Sequence, residues 1–350
     1  MQTNSKAFRN PEVVVTRRYR DFQWLYNQLH CTAPGYIIPP PPEKQAVGRF
    51  ESNFVETRRA ALERMLTKLS QHYVLSSDQD FKLFLESETF NVDVRHKVKE
   101  PPLVGETSKG FLGLGIGAST TPKYVERDDY FHAQNIYMDA LEKQLKSLLK
   151  SVDMVVKQRK ELADSAGDFS ASLHSLSTVE ISPSLSSPLE GLADVQARIQ
   201  ELYSRQAQQD VLTIGITIDE YIRLISSVKV AFATRQKSFG SWQTAIDNLE
   251  KRRATQEKLL RQGRSQQDRI QAMNDEVAEA ERKVNSQRLL FEDMGRLMRT
   301  ELERFEREKV EDFKAGIETF LESAVEAQKE VSSENRVVLT CWPPRIRNDY

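Results

Sequence analysis

The sequence is short of most things that staple a small fold or interrupt a long helix. It holds two cysteines, Cys31 and Cys341, in 350 residues. Two thiols so far apart make no disulfide framework and fit a reducing compartment. Glycine and proline are sparse, at 14 and 13, the profile of charged, helix-rich soluble protein rather than of a disordered tail. Net charge is absent too: 29% of residues are charged, yet the balance is −1. Bulk electrostatics therefore select no partner, nucleic acid included, and any attraction to phosphate must come from a local patch. No stretch approaches the ~18 uninterrupted apolar residues a spanning helix needs. The N-terminal residues 1–12 contain no apolar core of a secretory signal. These absences predict a cytosolic chain that meets any membrane from outside.

Catalytic signatures are missing as well. The five histidines, His30, His72, His96, His132 and His174, are scattered. They show no H-E-x-x-H or Cys/His metal spacing, and neither a phosphate loop nor a nucleophile elbow occurs. The stretch Lys109–Ala118 formally matches a dinucleotide fingerprint, but no strand precedes it and no βαβ unit surrounds it. No enzyme, cofactor or metal site is expected.

What is present divides the chain. Residues 1–90 read as α+β. Val13, Val14 and Val15 form a β-branched run that predicts a strand. From about Asp21, Phe22, Leu25, Tyr26 and Leu29 recur at helical spacing until Pro34-Gly35. Four prolines, Pro39 to Pro42, favour an extended loop and exclude helix. Helices are predicted from about Asn53 to His72 and from about Asp78 to Glu88. Residues 91–124 read as a linker. Its Lys109–Ala118 segment alternates glycine with large apolar residues, a pattern of a flexible connection or of a short interfacial insertion.

From residue 125 to 330 the pattern is one of long helices. Leu141, Leu145, Leu148, Val152, Val155, Leu162, Ala166, Phe169, Leu173 and Leu176 recur in steps of four and three, with Arg159 filling the one gap. That is a coiled-coil seam. Ser182-Pro183 and Ser187-Pro188 predict a turn. A second seam, Leu192, Val195, Ile199 and Leu202, slips by one residue across Gln206–Asp210. It resumes as Ile214, Ile218, Tyr221, Ile225, Val228 and Phe232. A slip of this kind changes the supercoil locally. Gly263 marks the next turn, and Ile270, Met273, Val277, Ala280, Val284, Phe291, Met294 and Met298 form a third seam. Helices of roughly 55, 70 and 65 residues would run about 80 to 110 Å. Three such stripes cannot all be buried within one chain. Leu148, Ile218, Tyr221, Ile225 and Phe291 are therefore expected in the core or in a dimer interface. Taken alone, the pattern also fits an extended scaffold or tether.

Three blocks in order carry a resemblance: Arg17–Phe22, Pro39–Lys44 and Glu56–Glu63. Together they resemble the PX domain of sorting nexins. Arg159–Ala163, Asp219–Leu224 and Arg304–Lys314 resemble the BAR domain of the same proteins, and the wording is nearest that of fungal members of the retromer coat. The resemblance implies a three-helix BAR domain over 125–330 behind a PX domain that lacks its first strands. It implies binding of phosphatidylinositol 3-phosphate on the cytosolic face of endosomes and sensing of membrane curvature. Expected partners are itself or a second PX–BAR nexin, and the cargo-recognition part of retromer, in endosome-to-Golgi transport. It places Arg18 on the 3-phosphate, Tyr19 against the inositol ring, Lys44 on the 1-phosphate and Arg58 on the ring hydroxyls. Arginine suits phosphate because its planar fork gives two parallel charged hydrogen bonds.

Lys251, Arg252, Arg253, Lys258, Arg261 and Arg264 crowd the turn between the second and third long helices. They are candidates for contact with an anionic leaflet, at about 1 kcal/mol each; the alternative is a solvated helix end. Residues 331–350 lose the helical period and the resemblance. Val331-Ser332 is also what a splice donor read through would encode, and a non-family tail is expected there.

Overall fold

A computed structural model describes residues 12–43, 52–94, 126, 128–261 and 267–341. Those described residues are helical almost throughout. They hold α1 (Tyr19–Thr32), α2 (Ser52–Gln71), α3 (Gln79–Glu86), the single turn α4 (Phe90–Asp93), α5 (Asp129–Val179), α6 (Pro183–Asp210), α7 (Ile216–Arg261) and α8 (Gln267–Cys341). A π-helical turn, Val211–Gly215, joins α6 to α7.

Contacts divide the chain into two compact units. The first draws on Met1–Pro41, Arg64–Asp139 and Arg223–Arg307; the second draws on Pro42–Glu63, Ala140–Ile222 and Glu308–Tyr350. In the first, α1 presents Phe22, Leu25, Tyr26 and Leu29 as one buried face, the helical spacing read from sequence. Pro34 and the positive φ of Gly35 (92°) then turn the chain, a conformation that side-chain-bearing residues avoid. Phe22 meets Phe84 of α3 edge-on at 4.9 Å, and Phe84 meets Phe90 at 5.6 Å. Asp78 caps α3 by accepting from the Asp80 and Phe81 backbone N–H groups. Further along, Arg235 is sandwiched between Phe131 (4.1 Å) and Phe291 (4.2 Å) and pairs with Glu126 at 3.2 Å. A side chain at Gly295 would run into its guanidinium. Leu249 of α7 packs with Val277 and Ala280 of α8.

In the second unit, Ala166 of α5 packs against Val195 and Ile199 of α6. Tyr221 is fully buried, donates to Asp312 Oδ2 at 2.6 Å and lies against Phe313 at 5.3 Å. Arg159, the polar residue in the α5 seam, reaches Asp210 at the end of α6 at 2.9 Å.

Val13–Val15 alternates between half-buried and exposed beside a bridge position at Glu12, and no strand occurs among the described residues. Two sequence expectations need correction. Pro188 does not sit in a turn. It lies inside α6, whose first residue is Pro183, where a missing N–H goes unnoticed. The helical period is not lost from residue 331 onward, since α8 continues to Cys341. Nothing from Val331 to Cys341 is proline or glycine, and the extension is tied down by Arg205 to Glu330 and by Arg198 to Glu334 at 2.9 Å. Pro343-Pro344 and the Lys109–Ala118 stretch lie outside the described residues.

Candidate functional site

The adjacent arginines ahead of α1 have opposite fates. Arg17 turns inward: its Nε donates to the Phe84 carbonyl at 2.8 Å and its Nη2 to the Ser87 carbonyl at 2.6 Å. Its guanidinium also covers the Phe90 ring at 4.6 Å. Arg18 is the N-cap of α1 and is exposed; its backbone N–H donates to Asp21 Oδ2 at 2.7 Å. Asp21 is buried, so the cap fixes where the Arg18 side chain leaves the backbone. Tyr19 follows as the first helical residue and is half-buried.

Lys44 lies outside the described residues. Arg58 is in the second unit, on α2, where its Nη2 donates to the Glu43 carbonyl at 3.0 Å. It lines a cavity of about 270 Å³ together with Glu43, Asp153, Asp219 and Gly215 of the π-turn. Among the described residues of that wall, Arg58 is the one cation, beside the carboxylates of Glu43, Asp153 and Asp219. Arg59, its neighbour, is occupied by Glu56 at 2.7 Å and Glu63 at 2.8 Å.

At the α7–α8 turn the basic residues are less available than their count implies. Arg252 pairs with Glu276 at 2.5 Å, Arg253 with Glu281 at 2.7 Å and Arg261 with Glu257 at 2.6 Å. Lys251 and Lys258 are exposed. Arg264 lies outside the described residues. Glu257 and Arg261 stand four apart on one helix, a pairing the sequence spacing allows, whereas Glu276 and Glu281 come from α8 and leave no local sign in the sequence.

Of the expected core or interface positions, Ile218, Tyr221 and Ile225 are fully buried, Phe291 is half-buried and Leu148 is 44% exposed. The α5 seam divides. Leu145, Ala166 and Leu173 are buried, whereas Leu148, Val155, Leu162, Phe169 and Leu176 are exposed at strict seven-residue intervals. No group of side chains among the described residues could hold a metal ion, and no described helix is long and apolar enough to cross a membrane.

The comparisons agree with this layout. A PX domain model matches residues 5–88, and a model described as Vps5 C terminal like matches residues 106–339. Fold and matches together define a PX domain followed by a helical C-terminal domain. The chain belongs to the Vps5 family. It is 38% identical over 328 residues to vacuolar protein sorting-associated protein vps5 of Schizosaccharomyces pombe, covering 91% of this chain and 57% of that protein. Vacuolar protein sorting-associated protein 5 of Saccharomyces cerevisiae is 35% identical over 350 residues, with 90% and 51% covered. Human sorting nexin-1 is 32% identical over 351 residues, with 95% and 65% covered. The chain thus spans a little over half the length of the fungal relatives.

Proposed function

We propose that the chain is a non-enzymatic membrane coat protein that binds phosphatidylinositol 3-phosphate and senses curvature, in retromer-type transport from endosome to Golgi. Its long helices form a BAR-type domain that dimerises with a second copy or with another PX–BAR nexin. The dimer sits on the cytosolic face of the endosome with the cargo-recognition part of retromer. The observation that carries the lipid reading is the split between Arg17 and Arg18. Arg17 is consumed by carbonyls and rings, while capped, exposed Arg18 is left to meet a phosphate. Tyr19, Lys44 and Arg58 complete the head-group set. Co-sedimentation with phosphatidylcholine vesicles, with and without phosphatidylinositol 3-phosphate, tests this. Arg18→Ala removes a charged hydrogen-bond donor worth about 1.5–3 kcal/mol, so affinity should fall ~10- to 150-fold. Equal binding to both vesicles would reject the lipid reading.

One observation favours a second reading, a coiled-coil scaffold without lipid binding. Arg252, Arg253 and Arg261 are paired with glutamates. Lipid-independent behaviour in the same assay selects that reading.

A further inference from the structure

The segment Gly35–Pro40, which leads in sequence toward Lys44, is held by helix residues that the proposed head-group site does not include. All of them belong to the first unit. Gly35 lies against Met294 of α8 so closely that any Cβ would overlap the sulfur. Ile37 donates its backbone N–H to Glu301 Oε2 at 3.1 Å, and its carbonyl accepts from Arg304 Nη2 at 3.4 Å. The Pro40 carbonyl accepts from Arg223 Nη1 of α7 at 2.7 Å.

Glu301 is the centre of this arrangement and is fully buried. A buried carboxylate is costly unless every lone pair is used. Here Arg304 Nη2 reaches it at 2.7 Å, Ile37 N–H at 3.1 Å, and His72 Nε2 lies 3.3 and 3.4 Å from its two oxygens. The His72 tautomer is fixed by its other face. Nδ1 accepts from the backbone N–H groups of Val74 and Leu75, at 3.1 and 3.2 Å. Its proton is therefore on Nε2, aimed at Glu301. The end of α2 and the proline-rich segment are thus locked to one carboxylate on a long helix.

We propose that Glu301 and Arg223 are positioning residues for phosphoinositide binding. They fix the backbone of Ile37–Pro40, and the affinity of the PX domain for its lipid depends on contacts made by α7 and α8. The proposal rests on the lipid reading given above. A ligand site held loosely loses affinity even with its contact residues intact.

The test uses the full chain and phosphatidylcholine vesicles with and without phosphatidylinositol 3-phosphate. The proteins are wild type, Arg18→Ala, Arg223→Ala, Glu301→Ala and Glu301→Gln. Hydrogen exchange at the Ile37 and Ile38 amides is read in parallel, with helix content by circular dichroism. Glu301→Ala and Arg223→Ala should speed exchange and weaken lipid-dependent binding roughly tenfold, without loss of helix content. Glu301→Gln keeps an acceptor for Ile37 and should fall between them and wild type. Faster exchange with unchanged lipid-dependent binding overturns the proposal and leaves the lipid reading intact. Unchanged exchange overturns the lock itself. Wild type that ignores the lipid removes the lipid reading and this proposal with it.

Discussion

His30 lies on α1 with its ring edge-on to Tyr26 at 4.5 Å, and burial lowers its pKa from 6.5 to about 4. The unfolded chain therefore takes up this proton first as pH falls. Stability is full above pH 6.5 and declines toward pH 4, by on the order of 3 kcal/mol. Glu301 works in a lower window. Burial alone would raise it, but His72, Arg304 and the Ile37 N–H outweigh that and hold it at about 2, below its ordinary 4.5. Its contribution is present above pH 4.5 and is lost as pH falls toward 2. Urea unfolding at a series of pH values should show both windows. His30→Phe should flatten the profile between pH 6.5 and 4 and leave the lower part alone, while Glu301→Gln should flatten it only below 4.5. A His30→Phe profile parallel to wild type throughout would assign the upper window to another group.

Among the elements, the α5–α6 pair shows how far the sequence could be read. Arg159 stood out because it interrupts an apolar seam, and the register slip at Gln206–Asp210 stood out because the period changes. The structure joins the two: Arg159 meets Asp210, and the extra residue of the slip is taken up directly afterwards by the π-turn Val211–Gly215. Burial raises the Asp210 pKa, and Arg159 pulls it part of the way back. The pair sits at 2.9 Å without being aligned as a hydrogen bond, and Arg159 keeps 26% of its side-chain surface against 3% for Asp210. Arg159→Leu should cost about 2–3 kcal/mol by leaving the carboxylate uncompensated, less than a fully buried pair would. Arg159→Leu with Asp210→Leu should recover most of that loss in chemical denaturation; equal losses in both would show that the pair does not govern stability here. The α7–α8 turn was read less well, because a count of basic residues does not show which carry partners. Lys251→Ala with Lys258→Ala should therefore reduce binding to anionic vesicles more than Arg252→Ala with Arg253→Ala, by up to ~1 kcal/mol per lysine. The reverse order in a sedimentation assay would mean that the Glu276 and Glu281 pairs open at the membrane. Glu301 left no trace in the sequence. It is one acid among many on a long helix, and only the chain turning at Gly35 brings Ile37 to it.

For the whole molecule, the informative feature is what the described residues of α5 leave uncovered. Leu148, Val155, Leu162, Phe169 and Leu176 repeat every seven residues and stay between 42% and 49% exposed. A regular apolar row of this kind is the pattern that one half of a coiled coil presents. A second copy of the chain is the simplest mate. Leu162→Asp with Phe169→Asp should convert a dimer to monomer in sedimentation at low micromolar concentration without loss of helix content. A wild-type monomer under those conditions would remove the dimer from the proposed function.

The same row links thermal stability to the amount of protein. If folding and pairing are one reaction, the melting temperature rises with concentration, because mass action favours the state that buries the row. Dilution then favours separate chains. Adsorption to a membrane confines many copies to a thin layer, where their effective concentration is far higher. Lipid binding through Arg18 would thus promote pairing along α5 with no signal passing through the protein, and a coat would assemble where its lipid is and disperse where it is not.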